Sequence, residues 1–172
     1  MTDPSRFIRD IPDFPRKGIL FKDITPLLRD PAAFAQTIEA LRLHHHGDGI
    51  DAVAAVEARG FIFGSALAIA LGAGFIPMRK PGKLPYETAS ETYSLEYGTD
   101  TIQIHKDALA SGHRILIVDD LLATGGTAGA AVSLVERMGG KIVGASFVVE
   151  LSFLGGRAKL ASVPIFSLVK YD

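Results

Sequence analysis

The chain has 172 residues, a formal net charge of −1 and 48% hydrophobic residues, so it is long enough to bury a substantial core. The near-neutral charge favours neither a nucleic-acid nor an anionic-membrane partner. The absence of cysteine excludes disulfides, a CxxC redox pair and thiolate zinc sites. We therefore expect one domain over residues 1–172, a cytoplasmic location and no nucleic-acid or membrane partner.

The N-terminal part is rich in proline and is expected to be irregular. In Ile11-Pro12-Asp13-Phe14-Pro15, each residue before a proline is pushed towards extended geometry, which excludes a helix. Asp30-Pro31 is typical of a helix start, with the aspartate as N-cap and the proline in the first turn. Apolar residues then recur at helical spacing at Phe34, Ile38 and Leu41.

Apolar strands and helices alternate along the rest of the chain. Strands are predicted at 51–56, 73–78, 115–118 and 142–149, and helices at 60–71 and 126–138. The four branched apolar residues at 115–118 are typical of a strand buried on both faces. The alternation favours an α/β fold with a central, mainly parallel sheet flanked by helices. The polar stretch from Pro81 to Thr92 has no period and is expected to be a mobile loop.

The uncharged stretch from Gly60 to Met78 is nearly long enough to span a membrane. Gly72 and Gly74 interrupt it and Pro77 follows, so a buried helix and a strand are predicted instead. The first ten residues contain two acids, two arginines and no apolar run, so no signal peptide is expected there.

The segment Ile115–Thr127 carries the clearest chemistry. A predicted buried strand brings Asp119 and Asp120 to its carboxyl end, where ligands bind in open α/β sheets. The small-residue turn that follows offers backbone N–H groups, hydroxyls and a helix N-terminus to a phosphate. Ionised carboxylates accept hydrogen bonds, which suits the vicinal hydroxyls of a ribose. A ribose 5-phosphate site is predicted, formed by Asp119, Asp120, Ala123, Thr124, Gly125, Gly126 and Thr127. The alternative is an ordinary strand-to-helix turn with a solvated acid pair.

These thirteen residues resemble the motif with which type I phosphoribosyltransferases bind phosphoribosyl pyrophosphate (PRPP). Further stretches resemble adenine phosphoribosyltransferases over nearly the whole chain: 14–28, 57–61, 79–85, 94–98 and 166–169. The motif alone identifies PRPP users. Together with Leu95-Glu96-Tyr97-Gly98 and the N-terminal block, it indicates the adenine enzyme.

The resemblance implies a type I phosphoribosyltransferase fold with a flexible catalytic loop and a base-binding hood contributed by residues 1–30. It implies transfer of the phosphoribosyl group from PRPP to adenine, giving AMP and pyrophosphate. It also implies Mg²⁺ held mainly through PRPP, with no direct protein ligands. A homodimer is implied as well, with Arg79 able to reach a neighbour's site.

Two basic segments are implied to bind pyrophosphate. Glu57, Ala58, Arg59 and Gly60 follow a predicted buried strand, so Arg59 is expected at the same sheet edge as Asp119. The family's loop commonly contains a cis peptide, here expected at Glu57-Ala58. The second segment is the local basic cluster of Arg79, Lys80 and Lys83. A surface position for any of these cations is the alternative.

The resemblance implies that three other regions bind the base and move its proton. Glu96 is the family's candidate for proton transfer to or from the purine, and Tyr97 would shield the site as the loop closes. Phe21 offers a stacking face, with Leu20 and Leu151 as apolar walls. Backbone groups of Leu20 and Lys22 could read the 6-amino edge of adenine. The alternatives are a surface carboxylate for Glu96 and a core aromatic for Phe21.

The run His44-His45-His46 could suggest a metal site. Neighbouring helical residues point about 100° apart and cannot easily share one ion, so the run is expected at the surface.

Two other functions compete. A different phosphoribosyltransferase would use hypoxanthine, guanine, xanthine or orotate. A PRPP-sensing regulator would be expected to add a nucleic-acid surface, and the chain has no basic excess.

Overall fold

The computed structural model describes residues 3–94 and 98–172. A 3-10 helix at Pro4–Phe7 precedes strands β1 (Arg9–Pro12) and β2 (Leu20–Asp23) and helices α1 (Thr25–Arg29) and α2 (Pro31–His44). The strands β1 and β2 pair antiparallel, in the part expected to be irregular. Helix α2 begins as predicted, because the Asp30 side chain accepts a hydrogen bond from the Ala33 N–H at 2.8 Å.

The alternating part of the chain begins with β3 (Ala52–Val56), α3 (Arg59–Leu71) and β4 (Gly74–Met78), followed by the hairpin strands β5 (Thr88–Ser94) and β6 (Thr99–His105). It continues with β7 (Arg114–Leu122), α4 (Gly126–Arg137) and β8 (Lys141–Leu151). Two 3-10 segments, Ser152–Leu154 and Gly156–Leu160, lead to β9 (Ile165–Tyr171).

Five parallel strands form the central sheet in the order β4-β3-β7-β8-β9. The predicted α/β fold with a parallel sheet flanked by helices is confirmed. Side chains of β3 alternate between the two faces: Val53 and Ala55 pack with α2 and α3, whereas Ala54 and Val56 pack with α4 and the β5–β6 hairpin. Both faces are therefore covered, which explains why β3 is apolar throughout.

The parallel arrangement brings the carboxyl ends of β4, β3 and β7 to one edge of the sheet. Arg79 and Glu57, which follow β4 and β3, consequently lie near the acid pair Asp119-Asp120 in the last part of β7.

The expectation of a mobile loop from Pro81 to Thr92 is wrong for its second half. Strand β5 starts at Thr88 and pairs antiparallel with β6 through Ser94. Its sequence is polar because the outer face of the hairpin is exposed, while β6 supplies the buried Ile102 and Ile104. Strand β9, at the edge of the sheet, was not predicted either.

The surface prediction for the histidine run is wrong for His45, which is 5% exposed at the end of α2. Its ring nitrogens lie 2.8 Å from Asp48 Oδ2 and 2.6 Å from Ser146 Oγ. His44 and His46 are exposed, as expected. Among residues 3–94 and 98–172, no helix has the length and apolar character needed to cross a membrane.

Candidate active site

The loop Ala123–Thr127 joins the carboxyl end of β7 to the start of α4. Gly125 has a φ of +76°, a backbone conformation that side chains disfavour, and it turns the chain into the helix. Arg59, Asp119 and Asp120 join this loop around a cleft of about 190 Å³. All seven residues predicted for a ribose 5-phosphate site are thus in one place.

The two adjacent carboxylates have different partners. Asp120 is 5% exposed, and its Oδ2 lies 2.7 Å from Nε of Arg59, at the start of α3. Asp119 accepts the Asp120 N–H at 2.9 Å through its own Oδ1. A Cβ on Gly60 would lie 2.8 Å from that Oδ1, so a larger residue there would displace the carboxylate from this position.

Burial raises the pKa of both carboxyl groups. The pKa of Asp119 lies well above its usual range because burial disfavours the anion and Asp120 adds like charge. Burial also raises the pKa of Asp120, although the guanidinium of Arg59 opposes the shift. Hydrogen-bond donors on a bound ligand would stabilise the ionised form of either carboxylate.

Glu57 orders the basic segment that follows β4. Its Oε1 accepts the Lys80 N–H at 2.6 Å, and its Oε2 accepts from Nη2 of Arg79 at 3.0 Å. Arg79 also donates to the Lys83 carbonyl at 3.1 Å. Burial opposes ionisation of Glu57, but the hydrogen bonds from Lys80 and Arg79 outweigh it and lower the pKa of this carboxyl. The Glu57-Ala58 peptide is cis, as the resemblance implies.

Asp100 and Tyr93 belong to this region but were missed in the sequence. The Lys80 ammonium pairs with the Asp100 carboxylate. The Tyr93 hydroxyl donates to Asp100 Oδ2 at 3.3 Å and accepts from the Thr127 hydroxyl at 3.1 Å. These side chains link the basic segment to the 123–127 loop through the hairpin. They help to line a second cleft of about 410 Å³, which shares Arg59, Asp119, Asp120 and Thr127 with the first.

The sequence could have placed Asp100 and Tyr93 in the site only through the pairing register of β5 and β6. Ile102 and Ile104 alternate with polar residues in β6, which is typical of a half-buried strand, and Tyr93 is paired opposite Asp100.

The N-terminal hairpin brings Phe21 to the same region. The Arg59 guanidinium carbon lies 5.3 Å from the centre of the Phe21 ring, and Phe14 contacts that ring edge-on at 5.1 Å. The side chain of Leu20 is exposed and Leu151 is buried at the end of β8.

The last three predicted residues are Lys22, Glu96 and Tyr97, of which the structure describes Lys22 alone. The Lys22 ammonium binds Asp10 at 2.7 Å and lies over the ring of Tyr171, so this side chain is engaged elsewhere. Glu96 and Tyr97 lie outside the described residues.

Comparisons with known proteins show the family of this chain. Residues 25–159 match the family model "Phosphoribosyl transferase domain". The adenine phosphoribosyltransferase of Solibacter usitatus is 58% identical over 172 residues, covering 100% of this chain and 99% of that protein. The chain belongs to the adenine phosphoribosyltransferase family.

Solved structures of adenine phosphoribosyltransferases have the same fold. The crystal structure of the Thermoanaerobacter pseudethanolicus enzyme has a TM-score of 0.94 and 57% identity, with 96% of each chain covered. The Saccharomyces cerevisiae enzyme, complexed with an imino-altritol bisphosphate and adenine, has a TM-score of 0.91 and 46% identity, covering 95% of this chain and 94% of that one. Adenine phosphoribosyltransferases form AMP and pyrophosphate from adenine and PRPP, a step of purine salvage.

Proposed function

We propose that the residues gathered at the carboxyl edge of the sheet carry out transfer of the phosphoribosyl group from PRPP to adenine. The observation that supports this assignment best is the convergence of the 123–127 loop, the Asp119-Asp120 pair and Arg59 beside the Phe21 ring. This arrangement offers separate surfaces to a phosphate, a sugar diol and an aromatic base.

The 123–127 loop would hold the 5-phosphate of PRPP. Its backbone N–H groups and the start of α4 favour an anion, and Thr127 would donate its hydroxyl to the phosphate instead of to Tyr93. The Asp119 and Asp120 carboxylates would accept from the two ribose hydroxyls. Their charge lies beneath the sugar carbon that becomes electron-poor as pyrophosphate leaves with the bonding electrons.

Pyrophosphate would lie between the Glu57–Gly60 loop and the basic cluster of Arg79, Lys80 and Lys83. Lys80 would then exchange Asp100 for a phosphate oxygen, while Glu57 keeps Arg79 and the Lys80 backbone in position.

Mg²⁺ would be held mainly through PRPP. Among residues 3–94 and 98–172, no group of three or more potential ligand side chains could hold a metal ion. The oxygen donors of Asp119 and Asp120 still suit Mg²⁺, which commonly combines one or two carboxylates with substrate phosphates. When bound, Mg²⁺ would neutralise charge on the departing pyrophosphate.

Adenine would stack on Phe21 beneath the hood formed by residues 1–30, with Leu20 and Leu151 as walls. Backbone groups of Leu20 and Lys22 would read the 6-amino edge. Proton transfer by Glu96 and shielding by Tyr97 stay predictions from the family resemblance. The cytoplasmic location stays a prediction as well.

We also propose that the protein is a homodimer joined through α3 and β4. Ile62 and Ile69, seven residues apart, share one face of α3, and Ile69 is 84% exposed. The neighbouring Phe75 of β4 is partly exposed and contacts Phe61 edge-on at 5.5 Å. An apolar stripe of this kind suits a second copy of the chain, because a two-fold interface brings the same stripe against itself. Arg79 follows β4 and could approach the neighbour's site.

The activity is tested by incubating the chain with PRPP, Mg²⁺ and, in parallel, adenine, hypoxanthine, guanine, xanthine or orotate. We expect AMP from adenine and no product from the other bases. Arg59→Ala is expected to lower kcat/KM about 10- to 100-fold, the effect of one charge-assisted hydrogen bond. Arg42→Ala is the matched control, because Arg42 forms a surface pair with Glu39 away from the site. Turnover of an oxopurine would contradict the base assignment, and full activity of Arg59→Ala would contradict the site.

A further inference from the structure

A backbone segment from another part of the chain supports the rear of the 123–127 loop. This segment runs from Gly155 to Leu160, after β8. Gly156 is buried, and a Cβ there would lie 2.3 Å from the Ala123 carbonyl oxygen and 3.1 Å from the Gly125 nitrogen. A Cβ on Gly125 would in turn lie 2.3 Å from the Gly156 oxygen. The two loops therefore touch through their backbones, with no room for a side chain on either.

An ion pair between the partly exposed Arg157 and the buried Glu150 fixes the supporting segment to the sheet. Glu150, at the end of β8, is 3% exposed. It accepts two hydrogen bonds from Arg157, at 2.6 Å from Nε and 2.7 Å from Nη2. Arg157 also donates to the Ile165 carbonyl of β9 at 3.5 Å. A two-point bond of this geometry restrains the direction of the segment as well as its distance from the sheet.

The close contact with Gly156 restrains the position of the 123–127 loop. Ordinary contacts of a Cβ begin near 3.4 Å, so a methyl group at residue 156 would force the two loops apart by roughly 1 Å. A displacement of that size at a substrate-positioning group can cost about a hundredfold in rate.

We propose that Gly156 is a positioning residue for the phosphate group, held in place by the Glu150–Arg157 pair. This inference rests on the proposed role of the 123–127 loop. Gly156 itself touches no substrate. It sets the position of the loop that does.

The test compares Gly156→Ala with Gly129→Ala. A Cβ on Gly129, in the second turn of α4, would meet only ordinary contacts at 3.7 Å and 3.8 Å, so this control adds the same methyl group without displacing the loop. We expect Gly156→Ala to raise KM for PRPP at least about tenfold while KM for adenine changes less than about twofold, because only the phosphate-binding backbone moves. Gly129→Ala should match the wild type.

A binding measurement separates positioning from general damage to the fold. The ratio of the dissociation constants of adenosine and AMP reports the contribution of the phosphate alone. This ratio should fall at least about fivefold in Gly156→Ala and stay unchanged in Gly129→Ala. Loss of stability with an unchanged ratio would overturn the proposal.

Arg157→Lys tests the same idea if Gly156→Ala does not fold. Lysine keeps the charge but cannot form the two-point bond, so KM for PRPP should rise several-fold with little change in kcat. An unchanged KM for PRPP would also overturn the proposal. A wild-type chain that makes no AMP would instead contradict the proposed function, and the two failures are thus distinct.

Discussion

Asp119 and Asp120 are neighbours in sequence but are balanced by different groups. Asp120 is held by Arg59 at 2.7 Å, whereas Asp119 accepts a backbone N–H and packs against Gly60. Asp120 therefore both faces the proposed ribose site and fixes the guanidinium that lies beside Phe21. Loss of the Asp120 charge should weaken the binding of both PRPP and adenine, while loss of the Asp119 charge should weaken the binding of PRPP alone.

Asp120→Asn is expected to raise KM for PRPP about 10- to 100-fold, because it removes a charge-assisted hydrogen bond and releases Arg59. KM for adenine should rise as well, through the loss of the ordered guanidinium beside Phe21. Steady-state kinetics with each substrate varied in turn would measure both effects. Asp119→Asn should raise KM for PRPP alone.

Glu39→Gln makes the same chemical change at a surface carboxylate paired with Arg42 and serves as the control. Equal KM values for PRPP in Asp120→Asn and Glu39→Gln would contradict the role assigned to Asp120.

The sequence predicted those site residues that directly follow apolar strands. Arg59 and Asp119 could be placed together because parallel strands end at one sheet edge. Asp100, Tyr93 and Gly156 could not be placed, since their contacts depend on the register of a hairpin and on how a distant loop packs. No local pattern encodes those distances.

At the scale of elements, prediction depended on how completely each strand is buried. The strands β3, β7 and β8 read as continuous apolar runs because helices or the hairpin cover both faces. The strand β5 carries polar residues because its outer face is exposed, so its sequence resembled that of a loop. The burial of His45 at the end of α2 could not be predicted either, because the histidines on both sides of it are exposed.

His45 joins α2 to the centre of the sheet. In the neutral ring, Nδ1–H donates to Asp48 at 2.8 Å and Nε2 accepts from the hydroxyl of Ser146, which is fully buried in β8. Burial lowers the pKa of His45, the hydrogen bond to Asp48 opposes the shift, and the neighbouring His44 lowers the pKa further. A protonated ring would also lose its acceptor for Ser146.

Stability should consequently fall as the solution is acidified. The unfolded chain takes up the His45 proton near pH 6.5, whereas the folded chain takes it up only at lower pH. Between those values the unfolded state binds more protons, so the free energy of unfolding decreases as pH falls below about 6.5. Thermal unfolding followed by circular dichroism at pH 7.5 and 5.5 would measure this loss.

At pH 7.5, His45→Gln should unfold at a lower temperature than the wild type. Its unfolding temperature should fall less than that of the wild type when the pH is lowered to 5.5. His46→Gln is the matched control, because His46 directly follows His45 but is exposed. This variant should keep the wild-type pH dependence. The same acid-induced loss in His45→Gln and the wild type would contradict this account.

The whole molecule presents two kinds of surface around one sheet. The carboxyl edge of the sheet is polar and carries the clefts, while the outer side of α3 and β4 has apolar residues that the described parts of the chain, 3–94 and 98–172, leave exposed. The clefts and the apolar stripe are connected through α3, since Arg59 begins the helix that carries Ile62 and Ile69. Pairing of two copies through this face would therefore hold the helix that positions Arg59.

Ile69→Lys should separate the dimer without altering the clefts. A charge left unpaired in a buried interface costs about 2–5 kcal/mol, which weakens association roughly 30- to several thousand-fold. Light scattering coupled to size-exclusion chromatography should give the dimer mass for the wild type and the monomer mass for the variant. Leu43→Lys, on the exposed side of α2, makes the same kind of change away from α3 and β4 and should leave the dimer intact. If Ile69→Lys kept the wild-type mass, the interface would have to lie on another surface, and Arg59 would owe its position to the contacts within one chain.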